Sequence, residues 1–119
     1  MSLIEKIQEI QNESFDKWFE RWYEKQNLED TIIRSASKGY EGYRISIKKT
    51  WESVSNWDEE KKYLARRLRD KRTVEKIREK LGEGIKVRYV NDEKAYDTIF
   101  GIKRYEQSEY ISIEWKGSE

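Results

Sequence analysis

The commonest catalytic side chains are missing from this chain, because its 119 residues include neither His nor Cys. That removes the usual general base, thiol nucleophile, zinc ligand set and redox pair together. Asp92, Glu93 and Asp97 lie close together beside an expected turn, and clustered carboxylates can hold Mg²⁺ in a metal-dependent nuclease. Their spacing matches no nuclease pattern, and Asn91 and Asp92 are residue types that a hairpin turn takes for backbone reasons. Gly39 and Gly42, within Lys38-Gly39-Tyr40-Glu41-Gly42, fit neither a P-loop nor a dinucleotide fingerprint. The expectation is a chain that is not an enzyme and carries no metal and no cofactor.

Binding chemistry has more to work with. Seven cations fall within twelve residues, Lys61, Lys62, Arg66, Arg67, Arg69, Lys71 and Arg72. On a helix, Lys62, Arg66 and Arg69 lie opposite Trp57, Leu64 and Leu68, so they are expected to face solvent together and to tolerate replacement by Glu without loss of fold. Such a face suits a phosphate backbone or an acidic protein patch. It also suits water alone, with Asp58, Glu59 and Glu60 one turn earlier offsetting part of the charge. A ring cluster, Phe15, Trp18, Phe19, Trp22 and Tyr23, has the spacing of a core stripe, with Tyr23 at its edge as the expected exposed anchor for a partner. Tyr40 and Tyr43 are the candidates for stacking on nucleic-acid bases.

These residues need elements to position them. Ser2 and Glu5 have capping-box spacing, and Leu3, Ile4, Ile7, Ile10, Phe15, Trp18, Phe19 and Trp22 recur on one broad face of a helix to about Lys25, with a kink expected near Asn12 to Ser14. Leu28, Ile32 and Ala36 predict a second helix over residues 28–38, stopped by Gly39. Alternation at Tyr43, Ile45 and Ile47 predicts a strand. Two helices follow, the first carrying Leu64 and Leu68 as core residues and the second Val74, Ile77 and Leu81, with a break between Asp70 and Thr73. Ile85, Val87 and Tyr89 alternate next, Asn91 and Asp92 are expected to turn the chain, and Ile111, Ile113 and Trp115 close the pattern. The order α-α-β-α-α-β-β predicts one α+β domain over residues 1–119, with three or four antiparallel strands covered by helices.

Charge is segregated although the net is only +1. Residues 1–30 carry −4, 31–57 carry +3, 58–82 carry +4 and 83–119 carry −2. An acidic first helix can therefore pair with the basic segment within one molecule or across a homodimer. Sixteen aromatic residues, five of them Trp, argue against disorder despite 41% charged residues. No apolar stretch approaches the length of a membrane span, the start is too polar for a signal peptide, and the lack of Cys fits a reducing cytoplasm.

The helical start, the segment Ser35-Ala36-Ser37-Lys38-Gly39-Tyr40-Glu41-Gly42-Tyr43-Arg44-Ile45-Ser46-Ile47, the charged helical middle and the terminal Tyr110-Ile111-Ser112-Ile113-Glu114-Trp115 resemble small accessory proteins of Gram-positive bacteriophages and mobile elements, a group that includes anti-CRISPR proteins. The resemblance implies a stoichiometric binder in a bacterial host cytoplasm, acting on a host protein or ribonucleoprotein, with inhibition of a CRISPR nuclease as the specific form. Direct binding of DNA or RNA through the basic run is the alternative. Inhibitors that imitate DNA are strongly acidic, and this chain is not.

Overall fold

The computed structural model describes residues 2–115. Its elements are α1 (Leu3–Gln26), α2 (Leu28–Ser37), β1 (Gly42–Lys48), a 3₁₀ turn (Val54–Asn56), α3 (Glu59–Arg69), α4 (Lys71–Leu81), β2 (Ile85–Asp97) and β3 (Lys103–Trp115), an α+β arrangement in the expected order. The starts and stops follow local chemistry. The Ser2 hydroxyl accepts the Glu5 amide at 3.3 Å, and Asp58 does the same for Lys61 at 2.8 Å, each satisfying a donor that a helix start leaves free. Asn27 adopts a left-handed conformation, φ 49° and ψ 48°, and so separates α1 from α2. α1 is unbroken through Asn12 to Ser14, with helix continuing on both sides of these polar residues. The break between α3 and α4 falls on Asp70, whose carboxylate accepts the Arg72 amide at 3.0 Å.

The sheet is antiparallel in the order β1-β3-β2. β2 and β3 pair over thirteen rungs from Ile85 opposite Trp115 to Asp97 opposite Lys103. Asn91 and Asp92 therefore do not turn the chain: they lie mid-strand, opposite Glu109 and Ser108. The Asn91 side chain accepts from Gln107 across the ladder at 3.0 Å instead of serving its own backbone. The turn lies at Thr98 to Ile102, where Gly101 at φ 72° supplies the conformation that other residues resist.

One face of the sheet packs on all four helices. Ile45, Ile47, Val87, Ile111 and Ile113 meet Phe15, Phe19 and Trp22 of α1, Leu28 and Ile32 of α2, Ala65 and Leu68 of α3, Ile77 of α4, and Trp57. Each fully buried aliphatic or Phe side chain contributes ~1.5–3 kcal/mol relative to solvent. Leu64, an expected core residue, is exposed, because Ala65 and Leu68 are the residues of α3 that face the sheet.

Two segments leave this core. The first buried residue of α1 is Phe15, so Leu3, Ile4, Ile7 and Ile10, expected on the core face, lie outside it. β1 pairs with β3 only between Glu109 and Glu114, so the distal half of the β2–β3 hairpin projects as a two-stranded arm. The radius of gyration is 17.6 Å, against ~13.5 Å for a compact chain of this length; these two projections account for the excess.

Candidate functional site

The basic run does not form one solvent-facing patch. Arg69 donates two hydrogen bonds to Glu109, at 2.8 and 2.7 Å, and the Tyr89 hydroxyl donates a third at 2.5 Å. Burial works to raise the Glu109 carboxyl, but these donors and the Arg69 and Lys48 charges hold it below the usual carboxylate range. Burial, then the bond to Glu109, pushes the Tyr89 phenol up to about 12. Arg69 therefore anchors a carboxylate that is only 5% exposed, and is not the free cation that helical spacing predicts. The two residues are 40 apart in sequence, and no local pattern joins them.

The other cations divide. Lys61 pairs with Glu52 and lies 5.1 Å from the Trp57 ring centre; the Lys61 hydrogen bond lowers the Glu52 carboxyl pKa against the opposing effect of burial. Lys62 reaches Glu59 at 3.6 Å. Arg72 is held by Asp70 at 2.7 Å and Asn12 at 2.8 Å, its guanidinium 4.3 Å from the Phe15 ring centre. Arg67 bonds Ser14 at 2.9 Å and the Tyr63 hydroxyl at 3.1 Å. Arg66 and Lys71 have no ion-pair partner among the described residues. Arg66, Arg67 and Arg72 line a cleft of about 490 Å³ between α1 and α3, with Ile10, Gln11, Ser14, Tyr63 and Asp70.

Tyr23 is half-buried, stacked on Phe19 at 5.7 Å, and its hydroxyl is enclosed without a partner among the described residues. It is not the exposed member of the ring stripe. Burial raises its phenol, and Glu29 and Glu20 add to that. Tyr43 packs against the core edge, whereas Tyr40 is exposed and its carbonyl accepts the Trp115 indole N–H at 3.1 Å. Both border a cleft of about 660 Å³ that also includes Arg44, Arg88, Tyr110, Ser112 and Glu114. Alternation turns these last five residues away from the core. Arg44 stacks 4.4 Å from the Tyr110 ring centre, and Arg88 reaches Glu114 at 3.3 Å.

The acids Asp92, Glu93 and Asp97 do not converge. Strand alternation sends Asp92 to one face of β2 and the other two to the opposite face, and no group of three potential ligands gathers among the described residues.

The arm carries the two most exposed large apolar side chains among the described residues, Ile99 and Phe100. At its tip Ile99 is 95% exposed, Phe100 82% and Ile102 63%, with Tyr96 and Tyr105 just below them on the strands. The Thr98 amide bonds the Ile102 carbonyl at 3.0 Å and the Gly101 amide bonds the Thr98 carbonyl at 2.9 Å, so the turn is closed on itself. No family model, curated protein or solved structure matches this chain. Function must be read from its own surfaces, and the arm tip is one that sequence reading missed. Its signal was the loss of period-two alternation in Thr98-Ile99-Phe100-Gly101-Ile102. No helix among the described residues is long and apolar enough to cross a membrane.

Proposed function

We propose that this chain is a non-enzymatic binding protein that engages a protein partner by seating the tip of the β2–β3 arm in an apolar cleft of that partner. The observation that carries the reading is the exposure of Ile99 and Phe100 at the end of a closed turn, far from the core that could have buried them. Contiguous apolar surface of this kind is costly to leave in water and typically marks an interaction site. Residues 91–108 hold four acids and three bases, so the arm has no field that would select a phosphate backbone. The resemblance to phage accessory proteins suggests the partner class, a bacterial host protein or ribonucleoprotein such as a CRISPR nuclease.

The test is affinity capture from a bacterial lysate with the wild-type chain and an Ile99→Ser/Phe100→Ser variant, followed by titration against the purified partner. The variant should keep its stability within ~0.5 kcal/mol per substitution, since both residues are exposed, and lose affinity by at least ~30-fold, the equivalent of one hot spot. A variant that binds as tightly as wild type would remove the arm from the interface.

A second reading, binding of single-stranded nucleic acid, is favoured by Arg44, Lys86 and Arg88 on the sheet face beside Tyr110 and Tyr40. It requires affinity that falls steeply with salt and is lost in Arg44→Glu/Arg88→Glu.

A further inference from the structure

The projecting half of α1 is a second unpartnered surface, with its own chemistry. Leu3, Ile4, Ile7 and Ile10 are 73%, 59%, 40% and 65% exposed. At 3.6 residues per turn, the stripe Leu3-Ile7-Ile10 lies about 120° around the helix from Phe15, Phe19 and Trp22. It is therefore a separate face and not an extension of the one that covers the sheet. Its spacing of four and three residues continues to Ser14 and is the spacing that packs one helix against another. A projecting helix of some twelve residues is marginal in water without cover.

The flanks of the stripe say what covers it. Lys6 and Glu13 are seven residues apart and share one flank. In an antiparallel pair related by a two-fold axis, that flank meets itself, so each Lys6 faces Glu13 of the second copy and the contact forms twice. The remaining charges of this half, Glu5 and Glu9, are acids. The stripe leads at Ile10 and Ser14 into the cleft rimmed by Arg66, Arg67 and Arg72, which offers cations to an acidic helix laid beside α1. Of these three, Arg66 and Arg67 have no ion-pair partner among the described residues.

We infer that the protein forms an isologous dimer through residues 3–14 of α1, packed antiparallel against the same segment of a second copy and bordered by the arginine cleft. Two helical segments of this length bury roughly 1,000 Å², near the lower end for a specific interface, which points to a micromolar dimer rather than a permanent one.

Sedimentation velocity of the full chain from about 1 to about 200 µM, a range that brackets such an affinity, tests this. The mass should rise from 14.6 kDa toward twice that value. Ile7→Asp should remain monomeric throughout with an unchanged unfolding midpoint. Lys6→Glu and Glu13→Lys should each weaken the dimer about five-fold, and the double exchange should restore it to within about two-fold, the signature of a direct pair. Because both residues are exposed, the exchange decides the question even if Ile7→Asp fails to fold. Wild type at constant monomer mass, a dimer that survives Ile7→Asp, or single and double charge variants of equal affinity would each overturn the inference. A wild-type monomer whose Ile7→Asp variant loses a different protein partner would overturn it too, and would assign the face to that partner.

Discussion

Arg69→Met is the substitution that most directly separates the structure from the helical-wheel expectation for the basic run. Methionine keeps most of the side-chain stem and removes the guanidinium. Glu109, 5% exposed, then loses two of its hydrogen bonds. Removing one member of a buried ion pair costs ~3–5 kcal/mol, but the Tyr89 hydroxyl and the Lys48 charge remain, and the Arg69 side chain is 38% exposed. The expected loss at pH 7 is therefore ~2–3 kcal/mol, or about 8–12 °C in Tm for a domain of this size. The pH dependence has a defined sign. In the wild type Glu109 titrates below its unfolded value, so its contribution is present above the ordinary carboxylate range and fades as pH falls through the folded pKa. In the variant, burial dominates and the folded pKa rises, so protonation relieves the penalty and the gap between the proteins narrows toward pH 4. Urea unfolding followed by Trp fluorescence at pH 7 and pH 4 measures both, and a cycle with Glu109→Gln isolates the pair. A loss under ~0.5 kcal/mol that is the same at both pH values would refute the reasoning and return Arg69 to the solvated surface.

Three further outcomes are expected. Ultraviolet titration should show the Tyr89 phenol ionising near pH 12, where the difference spectrum against Tyr89→Phe identifies it, and the stability tied to its proton should be present below pH ~10 and lost as pH rises through the folded value. Phe19→Ala, at a fully buried position between α1 and the sheet, should cost ~3–5 kcal/mol by denaturant titration. Tyr23→Phe should leave stability unchanged or raise it by up to ~1 kcal/mol, because the hydroxyl it removes is enclosed without a partner among the described residues.

Local grammar was legible in this chain and long-range grammar was not. Ser2 acts as a helix cap because a side-chain oxygen three residues before a free amide can reach it, a relation contained within four residues. The core rings Phe15, Phe19 and Trp22 follow from the 3.6-residue period. The same reading places Leu3, Ile7 and Ile10 on the core face with them, but at ~100° per residue they lie about 120° around the helix from it and stay exposed. Asn91 and Asp92 have the residue types of a turn, yet thirteen rungs of strand pairing outweigh that preference. Arg69 looked like its neighbours until β3 brought Glu109 against it.

The uneven pairing of β3 has a consequence in time. From Glu109 to Glu114 this strand is hydrogen-bonded on both sides, and from Lys103 to Ser108 on one side only. A two-stranded ribbon is marginal on its own, and openings near a fraying end cost far less than global unfolding. Amide exchange should therefore be graded along a single strand, slowest at Ile111 and Ile113 and fastest at the turn. A partner arriving at the tip meets a fluctuating set of orientations about a fixed root. The rate of capture is then governed by the loose end of the ribbon, and the lifetime of the captured state by how firmly the same two strands are held at the other.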